Sequence, residues 1–115
     1  MSVSFQGVGQ VCATFLGGGL SEGAVVKMSG RGTVGACGDG DGFCGMAVCC
    51  KDDACCVQVG GFMTAGYSGT VPGVGWAELC ANGSGGVRCA AESDKGVRCL
   101  VADADTAAKT VTFML

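Results

Sequence analysis

The chain has 115 residues, 49% of them hydrophobic and only 15% charged, with a formal net charge of −3. This is the length of one domain with ample material for a core, which excludes two ordinary domains and a disordered chain. Seven basic residues, nowhere clustered, exclude an electrostatic footprint for nucleic acid, and no run approaches the roughly 20 apolar residues of a membrane span.

Glycine accounts for 23 of the 115 residues, against a usual share of about 7%, and without the three-residue period of collagen. Each glycine inside a helix costs about 1 kcal/mol relative to alanine, so the composition favours short strands and tight turns. The expected fold is all-β: a small single-domain barrel or sandwich of short antiparallel strands with Gly-rich turns. So little charge on so small a chain also implies surface buried against partners.

In chain order, "MSVSFQGVGQVCATFLGGGL" carries no charge before Glu22. It lacks the basic start and clean apolar core of a secretory signal, so the expectation is a soluble protein kept in the cytoplasm until assembly. Residues 1–17 are expected to form an arm or a first strand, and 18–115 the β-barrel domain. "AVVKM" (24–28) leads through Ser29–Gly32 into "TVGAC" (33–37), a strand–turn–strand unit. "GDGDG" (38–42) is a loop that lacks the spaced ligands, closing Glu and flanking helices of a calcium site.

"VCCKDDACCVQV" (48–59) reads as a hairpin turning at Lys51–Ala54. In that register Cys50 faces Cys55, Val48 faces Val57 and Met46 faces Val59. One face is then almost wholly apolar: Cys44, Met46, Val48, Cys50, Cys55, Val57 and Val59. The ten cysteines contain no CxxC knuckle for zinc or redox chemistry. They are read mainly as small buried hydrophobes; soft-metal binding and disulfides stay open, since directly opposed cysteines can oxidise.

"TAGYSGTVPGVG" (64–75) reads as a loop, "GWAELCA" (75–81) as a strand and "NGSGG" (82–86) as a turn. "GVRCA" (86–90) and "GVRCL" (96–100) are expected to be adjacent strands joined by "AESDK". "RCLVA" and "KTVTFML" read as closing strands around "DADTAAK", a loop or one helical turn.

No Walker loop, nucleophile elbow or HExxH motif is present, and there is no histidine to serve as base or ligand. The carboxylates of Asp39, Asp41, Asp52, Asp53, Asp94, Asp103 and Asp105 fall in turns and read as solvated. No enzyme activity, cofactor or metal is expected. Tyr67 and Trp76 are expected to be the exposed aromatics, and Phe5, Phe15, Leu16, Phe62, Tyr67 and Trp76 are the candidate interface residues.

The order of motifs resembles the small β-barrel decoration, or cement, proteins of tailed-bacteriophage heads. The matching positions are Gly23, Val25 and Val26; Gly45, Met46 and Ala47; Val57, Val59 and Gly60; Gly75 and Leu79; and Val101, Asp103, Val111, Phe113 and Leu115. The resemblance covers roughly residues 18–115, with the cysteine load as its main departure. It implies a non-enzymatic virion protein, often trimeric, that binds the outer face of the major capsid protein shell and stabilises it. On that reading the uncharged N-terminal stretch is expected to be an arm laid across the capsid or another subunit.

Overall fold

Glycine-punctuated apolar runs become ten strands in the computed structural model, which describes residues 10–115. They are β1 (Val11–Leu16), β2 (Val25–Gly30), β3 (Thr33–Ala36), β4 (Gly45–Lys51), β5 (Ala54–Gly60), β6 (Phe62–Gly66), β7 (Gly75–Ala81), β8 (Val87–Cys89), β9 (Val97–Asp105) and β10 (Thr110–Met114). No helix occurs among the described residues. The fold is the all-β class expected, a single small domain. Phe5 and the other residues of 1–9 lie outside the described residues.

The first five strands close into a barrel in the order β1-β3-β2-β4-β5. Five strands in a ring cannot alternate direction all the way round, so one pairing must be parallel. It is β1 with β3, through the single pair Leu16–Thr33. β1 instead lies antiparallel along the full length of β5. Val11–Leu16 is therefore the closing strand of the barrel.

The last five strands form an open antiparallel sheet, β6-β10-β9-β7-β8. β2 and β4 serve both layers. Val26 and Ala47 point into the barrel with Val34, Cys55 and Val57. Their neighbours Val25 and Met46 point the other way, into a second core with Phe43, Leu79, Val101, Val111 and Phe113. A strand buried on both faces needs consecutive apolar residues rather than alternation, which is the pattern of "AVV" and "GMAV". Phe43 and Phe113 meet edge to face at 5.7 Å between ring centres, the favourable geometry for two aromatic quadrupoles.

The central hairpin turns where expected, with Cys50 opposite Cys55. Asp52 takes a φ of 57°, as the primed hairpin turns require at their first central residue. Beyond the tip the register differs from the expectation. A bulge between Ala47 and Cys49 pairs Ala47 with Val57 and Met46 with Gln58. Val48 is the extra residue and is exposed. The bulge exchanges the faces of β4 before it, so Ala47 rather than Met46 enters the barrel, while Cys50, Cys55, Val57 and Val59 keep the expected face; a strictly alternating pattern carries no sign of it.

Three further expectations are corrected. Residues 64–66 belong to β6 rather than a loop. The two "VRC" segments are not neighbours, because β7 lies between β8 and β9 and pairs with both. β9 runs on through Asp105, and the reversal occupies only Thr106–Lys109. There Lys109 has a φ of 58° and the Asp105 carboxylate accepts hydrogen bonds from the Ala107 and Ala108 N–H groups.

Three of the turn aspartates are not simply solvated. Arg88 donates from Nε to Asp39 at 2.8 Å and from both terminal nitrogens to Asp94 at 2.7 and 3.2 Å. It thereby ties the 38–42 loop to the 90–96 connection. Lys27 donates to Asp41 at 2.6 Å, and the Gly38 N–H donates to the same carboxylate oxygen.

Candidate functional site

The alternation that buries one face of the second sheet turns the other face outward. Phe113, Val101 and Met63 go into the core. Their sequence neighbours Met114, Leu100 and Phe62 therefore point away from it. Register aligns these across the strands: Phe62 opposite Met114, Met114 opposite Leu100, and Leu100 opposite Trp76. Directly opposed side chains sit about 5 Å apart at Cβ, so the four form one continuous apolar row over β6, β10, β9 and β7. Trp76 is 60% exposed, and the other three are half-buried.

The row has a polar border. Arg98 lies over the Trp76 ring, 5.2 Å from its centre, and is paired in register with Glu78. Thr64 and Thr112 share a hydroxyl hydrogen bond of 2.9 Å. The loop running into Trp76 adds two more exposed apolar residues, Val71 and Val74. Isolated exposed hydrophobics are ordinary, but a contiguous patch with a polar rim marks a surface made for contact.

Of the candidate interface residues, the structure brings Phe62 and Trp76 together on this row. Leu16 is exposed at the end of β1, well separated in the fold, and Phe15 packs inward against the barrel core. Phe5 lies outside the described residues. Tyr67 is not an exposed aromatic: it is only 6% accessible, faces the core, and has the Lys109 ammonium 6.0 Å from its ring centre. Its place is set by a backbone hydrogen bond to Lys109 and a bridge to Val87. Sequence reasoning missed Leu100 and Met114. Their signal was parity, since each sits one position from a core residue on a strand with only one face buried.

A second concave feature is a cleft of about 500 Å³ between the two layers, bordered by Leu20, Glu22, Cys37, Tyr67 and Asn82. Its chemistry is subdued. Asn82 spends its carbonyl on the Ser84 and Gly86 N–H groups and its amide on Ser68. Burial pushes the Cys37 thiol up to about 11, so it is protonated and a poor nucleophile near neutral pH.

The double-cysteine hairpin divides between the two sides of the barrel wall. Cys50 and Cys55 face inward and form a disulfide, with Cα atoms 4.1 Å apart. Cys49 and Cys56, one residue away on each strand, face outward, so the four sulfurs cannot converge on one ion. Among the described residues no three cysteine or acidic side chains are grouped as metal ligands. Cys80 and Cys99 are fully buried, as the small-hydrophobe reading requires; Cys50–Cys55 departs from it.

No protein-family model matches the sequence, and no curated protein matches it as a relative.

Proposed function

We propose that this chain is a structural virion subunit, a capsid decoration protein that binds the outer face of a shell of major capsid protein and stabilises it. The observation that carries the reading is the apolar row set in register across β6, β10, β9 and β7, with Trp76 60% exposed at its β7 end. A rigid sheet presenting an aromatic anchor within an apolar strip and a polar rim is built for docking on another protein. The order of motifs along residues 18–115 supplies the identity of that protein, through the resemblance to phage cement proteins. The row supports a contact surface; the partners, a shell of major capsid protein and further copies of the chain as a trimer, and the non-enzymatic role follow from the resemblance.

The test is addition of purified protein to undecorated capsids of tailed phages, followed by sedimentation. The reading expects saturation at a copy number that matches the symmetry of the shell. Absence of binding to capsids, combined with binding to tail tubes or head–tail connectors, would transfer the chain to a different virion part.

A further inference from the structure

Three thiols stand together on the outer wall of the barrel. Cys49 and Cys56 are directly opposed across β4 and β5. On the other side of β5, Thr14 is opposite Cys56 and Cys12 is opposite Gln58, which puts Cys12 on the same outer face, one diagonal step from Cys56. The Cys12 and Cys56 thiols are near enough to perturb one another. Cys12 and Cys49 are exposed, and Cys56 between them is half-buried.

The other free thiols are placed for packing. Cys80 and Cys99 are buried, Cys37 and Cys44 are partly buried, and Cys89 directs its sulfur at the Thr70 carbonyl. The outer trio alone combines solvent access with a neighbouring thiol able to complete an exchange. Access and an adjacent resolving cysteine are two features of a redox-responsive pair.

We propose that Cys12 and Cys56 form a thiol–disulfide exchange site for low-molecular-weight disulfides, and that its oxidation latches the closing strand of the barrel. Cys12, the exposed partner, attacks one sulfur of the small disulfide as its thiolate. The S–S bond of the reagent breaks, a mixed disulfide forms on Cys12, and one thiolate leaves. Cys56 then loses its proton and attacks the Cys12 sulfur, forming Cys12–Cys56 and releasing the second thiolate. Two protein thiols are oxidised by two electrons, the small disulfide is reduced to two thiols, and the two protons go to the leaving groups.

The position of the bond gives it a consequence. Among the described residues, β1 pairs with β3 through one residue pair and otherwise only with β5. A Cys12–Cys56 bond fastens β1 to β5 covalently. A Cys49–Cys56 bond would only join strands that the Cys50–Cys55 disulfide and the hairpin turn already connect. This exchange site is independent of the capsid reading and stands or falls on its own test.

The full chain, with Cys50–Cys55 intact, is incubated with oxidised glutathione, alkylated and mapped by peptide mass spectrometry. The free thiols should fall from eight to six, with Cys12 linked to Cys56. Backbone amide exchange across Val11–Leu16 should slow at least about tenfold on oxidation. Cys12→Ser, an exposed and structurally mild change, should abolish the link and the slowing, and Cys49→Ser should leave both intact. Linkage of Cys56 to Cys49, a glutathione adduct that persists on Cys12, or eight unchanged thiols would each overturn the proposal.

Discussion

Gly45 should be among the least replaceable residues in the chain, because a side chain there meets fixed backbone. It opens β4, tight against the β5 backbone. An alanine Cβ would overlap the Gln58 carbonyl oxygen and stand 2.9 Å from Val57 Cγ1 and 3.1 Å from the Gln58 carbonyl carbon. Neither neighbour has room to yield. Val57 is fully buried in the barrel, and the Gln58 side-chain amide donates to the Gly60 and Phe62 carbonyls at 3.1 and 2.8 Å. Overpacking costs about 1–3 kcal/mol, and a backbone obstacle puts Gly45→Ala near the top of that range, at about 3 kcal/mol. With a shift of about 4 °C per kcal/mol in a domain of this size, Tm should fall by about 12 °C. Gly73→Ala is the control, since nothing lies within 4 Å of its added Cβ and its φ is ordinary; it should stay within about 0.5 kcal/mol of the parent or be slightly more stable. Urea and thermal unfolding of the two variants decide the matter. Equal stability of Gly45→Ala and Gly73→Ala would refute the close β4–β5 approach.

Arg88→Ala should lower Tm and flatten its dependence on acid. Arg88 beside Asp94, and Lys27 beside Asp41, hold those carboxyls below the ordinary 3.8. Their contribution is therefore present above about pH 4 and lost as pH falls below it; Tm curves for parent and variant that stay parallel below pH 4 would contradict this. Replacing both Cys50 and Cys55 by alanine should destabilise the chain by about 2 kcal/mol, the scale for so short a closed loop, measured as a shift in urea midpoint. Trp76, the only tryptophan, should give red-shifted, readily quenched emission in the free protein and shift to the blue when its face is covered. Emission already blue and unquenchable in the free monomer would contradict its exposure.

Much of the fold was legible because period-two alternation and glycine turns act locally. "GWAELCA" became β7 at its expected bounds, and the Cys50–Cys55 pairing followed from the turn at the hairpin tip. The failures are non-local. The bulge at Val48 answers to β2 and β4 carrying two cores, which no alternating pattern announces. The separation of the two "VRC" strands depends on β7 lying between them and on Arg88 anchoring Asp94. Tyr67 looked like a loop aromatic, but its segment is drawn into the sheet edge and the ring enters the core. The apolar row was half legible: Phe62 and Trp76 were recognisable as large apolar residues, whereas Leu100 and Met114 joined them only once four strands were in register.

The most direct test of that surface is to place a charge in the middle of the row and measure binding to undecorated capsids. Leu100→Lys changes a half-buried residue between Met114 and Trp76 and should weaken binding at least about 100-fold, as expected for a central contact residue. Val11→Lys, at an exposed position on the barrel, should bind as the parent does. Undiminished binding by a folded Leu100→Lys protein would contradict the assignment of this sheet face as the docking surface.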